Sequence, residues 1–394
     1  MTKTNSTRRE WLKTTALSAG ALFTGAALST EAKAKPAFGM TPYKGHYHLL
    51  EKYHLAPPDL ENMKARLLAN ENPWGPSKKA MAAIAAAASK GNRYVYSSAM
   101  KMVDLLAEKE GVPADHILIA PGSTDVLEKV AFSLCRDGGN VISADPSYMS
   151  LVNTATTIGA TWKNIKLRDD YAHDLSSMAD AIDSGTKLIY ICNPNNPTGT
   201  LTPSADTRAF IRKVASKVPV FVDEAYLELL DNPGTESVVD TIKEGHDVII
   251  SRTFSKIHGM AGLRIGYMVA KPDRVKMIQS LVRTEMGISV TSLEGAMASL
   301  KDIEFQEYTR TNNKKNREYV FSELQKAGFN PIPSYTSFVL FPIEMPTESL
   351  MKKMLDKGVG IRGYEIHGKP YARVSIGTMD ELKLFVKSIN SIVS

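Results

Sequence analysis

Residues 251–267 read SRTFSKIHGMAGLRIGY and place two cations, Lys256 and Arg264, on either side of Gly259 and Gly262. A lysine amine that has lost its proton attacks carbonyl carbon. A guanidinium is a permanent cation whose fork suits phosphate. The pair points to a ligand that carries both a carbonyl and a phosphate.

Three further stretches carry compatible chemistry. In PGSTDVLEK, Gly122 lets backbone approach a ligand closely, and Ser123 and Thr124 open a helix whose free N–H groups attract an anion. Taken alone, the stretch is a plain helix cap. In DEAY, Asp223 closes a wholly apolar run, where a carboxylate is costly without a cationic partner. A protonated heteroaromatic nitrogen is such a partner, and Tyr226 lies within reach of an oxygen on the same ring. NPNNPTGT holds two Asn-Pro turns, and the Asn196 amide can donate to an aryloxide.

Regular elements must bring these residues together. The runs 116–120, 187–192, 218–223 and 247–252 are β-branched and of strand length. Each of the four ends in one of the polar stretches above. Helical patterns lie between them, at 76–90, 122–135 and 203–216, and a further strand is expected at 140–144. This alternation predicts an α/β fold, a mainly parallel sheet between helices. Ligands of such sheets bind beyond the carboxyl ends of the strands, so the four endings should ring one crevice. After a long helical pattern at 286–320, short strands at 337–342, 358–363 and 371–377 mix with helices at 347–356 and 379–391. That order predicts a smaller α+β domain. The expected division is 1–34, an arm 35–66, a large domain 67–285 and a small domain 286–394.

These residues together resemble the fold-type-I pyridoxal-phosphate aminotransferases of classes I and II. RLLANENPWGPS (66–77), NRY (92–94), DPSYMSL (145–151), NPNNPTGT, DEAY, TFSKIHGMAGLRIGY and RVSIGT (373–378) look most like the histidinol-phosphate aminotransferase branch. The resemblance implies pyridoxal 5′-phosphate held as a Schiff base by Lys256, with Asp223 on the ring nitrogen and Tyr226 and Asn196 on the ring oxygen. It implies a phosphate held by Arg264, Thr253, Ser255, Gly122, Ser123 and Thr124, and Tyr148 stacked on the ring. It places Arg373 and Asn70 at the substrate, Arg373 as a fork for a carboxylate. Tyr94 matches a tyrosine that reaches the phosphate of a neighbouring subunit, which implies a homodimer with shared sites. The implied reaction moves an amino group between an α-amino acid and a 2-oxo acid. A racemase or lyase on the same scaffold is the alternative. Two departures weaken any transfer of substrate from that branch. Val95-Tyr96 follow the tyrosine where Pro-Asp is common, and Ile257-His258 follow the lysine.

The N-terminus reads as an address. TRREWLK is followed by an apolar, Ala-rich stretch and then by Ala32-Lys33-Ala34, a small-x-small cleavage pattern. The Arg8-Arg9 pair resembles a twin-arginine signal, which implies export of the folded protein to the periplasm through that machinery. Five basic and two acidic residues fall in the first 34, so half of the formal +6 charge lies there. The remainder has no basic run, and no nucleic-acid partner is expected. Cys135 and Cys192 sit in apolar contexts as free thiols, with no metal-ligand spacing. HILIAPGSTDVL lacks the G-x-G-x-x-G of a nicotinamide site.

Overall fold

The computed structural model describes residues 63–282 and 287–393. The predicted signal, nearly all of the predicted arm and the border expected at 285–286 lie outside the described residues. The core of the fold is a seven-stranded sheet of β2 (Ile117–Ala120), β3 (Asn140–Asp145), β4 (Thr161–Lys166), β5 (Thr186–Cys192), β6 (Val220–Asp223), β7 (Val248–Thr253) and β8 (Gly266–Ala270). β1 is the short Ala65–Arg66. The spatial order is β2-β8-β7-β6-β5-β3-β4. β3 to β7 run parallel, while β8 is antiparallel to both β7 and β2. β2 therefore points the same way as β7, and the carboxyl ends of β2, β5, β6 and β7 share one edge.

The central strands β5, β6 and β7 are largely apolar because both faces of the sheet are covered there. Ile189, Ile191, Val220, Val222, Val248 and Ile250 pack into one core. Their alternates Leu188, Tyr190, Cys192, Phe221 and Ile249 pack into another. Period-two alternation thus feeds two apolar layers from one sheet. Cys135 and Cys192 are free and buried.

The chain after 290 builds a second, three-stranded antiparallel sheet, β11-β12-β9. Its strands are β9 (Phe338–Pro342), β11 (Arg362–Ile366) and β12 (Lys369–Ser375), and Val359–Gly360 form the short β10. The helix Met379–Val393 and the second half of the helix Ile303–Lys326 share its core, through Leu382, Phe385, Val320 and Leu324.

The sequence reading needs four corrections. β4 and β8 were not expected; β4 is half-exposed and largely polar, so it lacks the apolar signature of its neighbours. The run 358–363 is two strands, because Ile361 separates the β10 pairing from the β11 pairing. The pattern at 286–320 is two helices, Val290–Leu300 and Ile303–Lys326, separated at Lys301–Asp302. Finally, Ala65 and Arg66, placed in the arm, form β1 and pair in parallel with β10.

Candidate active site

Lys256 sits in the turn that leaves β7, on the sheet edge where β5 and β6 also end. Its Nζ donates to the Asn70 carbonyl at 3.0 Å and lies 5.3 Å from the centre of the Tyr226 ring. Burial lowers its pKa to about 8, and the positive charge of Arg373 acts in the same direction. An amine so placed loses its proton near neutral pH, as a nucleophile or base requires.

Asp223 ends β6 at 2 % exposure. Ser251 Oγ donates to it at 2.7 Å and Tyr190 Oη at 3.3 Å. Burial nevertheless pushes its pKa up, outweighing the two hydroxyls, the Ala225 amide and the positive charge of Lys256. Tyr226 follows three residues later, and its hydroxyl accepts from Asn70 Nδ2 at 3.0 Å, leaving its own proton to donate. Its ring packs edge-on against Phe338.

The phosphate-directed residues also converge. Gly122 has φ +87° and caps the helix Ser123–Cys135. A Cβ at Gly122 would run into the Arg264 guanidinium, and one at Gly266 would come within 2.7 Å of the Ser123 amide. Gly122 thus lets Arg264 reach the helix N-terminus, and Gly266 lets β8 pass close against it. Arg264 itself has φ +49°, and its Nη1 donates to the Ala261 carbonyl. Thr253 Oγ1 donates to Ser255 Oγ at 2.9 Å and accepts from the Ser255 amide. Thr124 lies in the first turn of the same helix. Tyr148 packs beside the core formed by Tyr190 and Cys192.

On the opposite wall, Arg373 is 1 % exposed. Its guanidinium lies between the Phe338 ring, 4.8 Å away, and the Tyr364 ring, 5.1 Å away. Nη1 donates to Asn196 Oδ1 at 2.6 Å. That engages Asn196 Oδ1 as an acceptor and leaves its Nδ2 as the donor. Nε of Arg373 is buried without a partner, an unmet donor of a kind native proteins seldom keep. An incoming carboxylate would meet it.

Sequence reasoning missed several contributors. Arg362 is the cross-strand partner of Arg373 and lies 5.5 Å from the centre of the same Tyr364 ring. Its only signal was a charge inside the glycine-rich GVGIRG. Ser375 Oγ accepts from the Asn70 amide and donates to Asn70 Oδ1, both at 2.8 Å. Asn72 ties its Nδ2 to the Ile257 carbonyl beside Lys256. Nothing in the sequence pairs positions so far apart. Tyr94 is not brought to the site within one chain; it is 78 % exposed and stands beside Tyr96.

His258 is 1 % exposed, bonded through Nδ1 to Ser299 Oγ at 2.8 Å and close to Glu228 through Nε2. Burial opposes ionisation of Glu228, but Lys109 and His258 outweigh it and hold its pKa well below the usual range. The tie joins the Lys256 turn to the short helix after Tyr226.

The sequence profile for aminotransferase class I and II matches residues 62–389. The chain belongs to that family. It is a pyridoxal-phosphate-dependent transaminase. Among its relatives, the histidinol-phosphate aminotransferase of Symbiobacterium thermophilum is 34% identical over 327 residues, covering 83% of this chain and 90% of that one. A solved chain from Erwinia carotovora atroseptica SCRI1043 superposes with TM-score 0.80 at 30% identity, over 84% of this chain and 96% of the other. The histidinol-phosphate aminotransferase of Sinorhizobium meliloti, solved with pyridoxal-5′-phosphate, has the same fold, with TM-score 0.79 at 24% identity over 93% and 98% of the two chains.

The residues present fit this cofactor. Lys256 offers a low-pKa amine, Asp223 a buried carboxylate, and the start of the helix at Gly122 an anion cradle with Arg264. When bound, the cofactor would supply an aldehyde carbon and an electron-withdrawing ring. Lys256 would then hold and move protons at Nζ, Asp223 would keep a positive charge opposite its carboxylate, and Arg373 would orient an anion beside them.

Proposed function

We propose that the enzyme exchanges an amino group between an α-amino acid and a 2-oxo acid, and that it works in the periplasm as a homodimer. The observation that carries the substrate class is the unmet Nε of Arg373, buried between two aromatic faces and within the same cluster as Lys256. A carboxylate supplies the missing acceptor and gains charge-assisted bonds. Arg362 adds a second cation to this wall, which favours substrates with a further anionic or electron-rich group.

Homodimer formation is supported by an apolar face. Tyr94, Tyr96 and Met100 are exposed by 78 %, 63 % and 70 %, and line a recess of about 730 Å³ with Val95, Val103 and Ile288. A partner that covers them would bring its site next to Tyr94. The proposed export rests on residues 7–34, outside the family match. The twin-arginine route would carry the chain with its cofactor already bound.

The deciding experiment adds single amino acids to the holoenzyme without an oxo acid and follows the cofactor spectrum. Conversion of the aldehyde form to the amine form identifies the donor. Exchange of the Cα proton with solvent deuterium, with no conversion for any amino acid, would replace transamination with racemisation. For the address, changing Arg8 and Arg9 to lysine should leave the protein in the cytoplasm; unchanged export would end that reading.

A further inference from the structure

Several residues of the site have a charged or ionisable neighbour close by in the chain. Glu224 follows Asp223, Arg252 precedes Thr253, Glu228 lies two residues after Tyr226, and His258 lies two after Lys256. These neighbours form one run of contacts. Arg252 Nη2 lies 2.8 Å from Glu224 Oε2 and 3.2 Å from Glu110 Oε2. The Tyr267 hydroxyl donates to Glu110 Oε1 at 2.6 Å. Lys109 Nζ donates to the Tyr267 hydroxyl at 3.2 Å and to Glu228 Oε1 at 2.5 Å. His258 Nε2 ends the run, 3.5 Å from Glu228 Oε2.

An imidazole is a demanding occupant for a buried position. A phenyl ring would fill it with no polar atom to satisfy, whereas each ring nitrogen needs a partner. His258 has one for each. Nδ1 meets Ser299 Oγ on the helix Val290–Leu300, and Nε2 faces a carboxylate that only accepts, so Nε2 carries a hydrogen. The ring centre lies 4.6 Å from that of Phe254. Phe254 and His258 thus flank Lys256, and the backbone closes between them. The Gly259 amide donates to the Lys256 carbonyl at 3.0 Å, and the Met260 amide to the Phe254 carbonyl at 2.9 Å. Glu228 belongs to the short helix Leu227–Leu229, which Tyr226 caps.

We propose that His258 is a positioning residue: by tying the Lys256 turn to the segment that carries Tyr226 and Glu228, it fixes where the Lys256 amine sits in the buried site. This rests on the reading of Lys256 as the amine that captures the cofactor. Without the tie to Glu228 the turn can relax outward. The amine then gains water and holds its proton more tightly, and it meets an incoming aldehyde in poorer geometry. Glu228 keeps Lys109 as a partner when the imidazole is removed, so no carboxylate is left buried alone.

Three full-length variants test the tie. His258→Phe keeps a packed ring and removes both polar contacts. His258→Gln sets an amide nitrogen where Nε2 stands and keeps the contact with Glu228. His258→Asn sets one where Nδ1 stands and keeps only Ser299. All three are uncharged there, and the charges that act on Lys256, from Arg373, Arg264, Glu71 and Asp223, are the same in each. The probe is pyridoxal 5′-phosphate added to cofactor-free protein, with the visible band followed against pH and thermal melts run alongside. The wild-type midpoint is expected near pH 8. The Phe and Asn variants should move it up by about one unit and slow the limiting capture rate about tenfold, while Gln restores both. Lower melting temperatures with an unmoved midpoint would make His258 merely structural and overturn the proposal. So would a Gln variant that behaves like Phe, or an Asn variant that behaves like the wild type. If His258→Phe does not fold, the Gln–Asn comparison still decides. Capture by Lys256→Ala as fast as by the wild type would overturn the reading of Lys256 and this proposal with it; an unmoved midpoint overturns this proposal alone.

Discussion

The two walls of the site are built by opposite strategies. The cofactor wall is the edge of β5, β6 and β7, where short polar endings follow strands buried on both faces. Asp223, Thr253, Ser255 and Lys256 each lie within a few residues of such a strand. The substrate wall is assembled from distant pieces. Arg373 on β12 bonds Asn196, Ser375 bonds Asn70, and the helix Ile303–Lys326 turns polar side chains inward. A rigid apolar sheet can aim a carboxylate or a lysine from local sequence alone. The opposite wall draws on residues that only folding brings together.

The largest expected effect lies on the cofactor wall. Lys256→Ala removes both nucleophile and base and should reduce turnover by about 10⁴-fold or more, with loss of the bound cofactor's visible band. A variant that keeps both would remove Lys256 from the centre of the site. Asp223→Asn keeps the shape but not the charge, and should cost turnover about 10²-fold while the phosphate cradle still retains cofactor. Steady-state kinetics alongside cofactor titration separates the two losses.

The substrate wall should behave differently. Arg373→Lys preserves the charge but not the fork, so KM for the amino acid should rise roughly tenfold to a hundredfold with the cofactor spectrum unchanged. A loss of cofactor instead would erase the distinction between the walls.

The pH dependence sharpens the comparison. Lys256 is neutral only above its pKa of about 8, against an ordinary 10.5. Capture of pyridoxal 5′-phosphate by the cofactor-free protein should therefore accelerate as pH rises through 8 and then level off. A midpoint near 10.5 would show that burial and Arg373 do not act on the amine. Replacing Arg373 with methionine should move the midpoint upward, because one positive neighbour is gone.

The last expectation concerns stability rather than turnover, at the clasp behind the Asn196 loop. His173 Nδ1 meets Thr202 Oγ1 at 2.8 Å, and Thr202 and Asn193 exchange two hydrogen bonds. Burial lowers the His173 pKa from 6.5 to about 4. The unfolded chain therefore binds this proton more readily than the folded one. Its contribution to stability is intact above about 6.5 and declines by up to about 3 kcal/mol as pH falls to 4. Denaturant melts of the wild type and His173→Asn between these pH values measure it; identical slopes would exclude His173.

The cofactor wall was largely legible. Asp223 after an apolar run and Gly122 before a capped helix carry their meaning in neighbouring residues, and the strands that bear them are uniformly apolar. β4 escaped because a half-exposed edge strand lacks that run. β8 escaped because GYMVA follows directly on the Arg264 turn and reads as its continuation. On the substrate wall, Arg373 came from motif resemblance, and Arg362 was missed because a lone arginine among glycines has no local signature.

By itself, the sequence determined the alternating elements, the lysine and carboxylate at their strand ends, and the cofactor chemistry they support, because each depends on residues close along the chain. The tertiary structure alone decided the pairing of Arg373 with Asn196 and of Asn70 with Ser375, and the lowered pKa of Lys256. Those depend on burial and on distances between residues up to 305 positions apart, which no local pattern encodes.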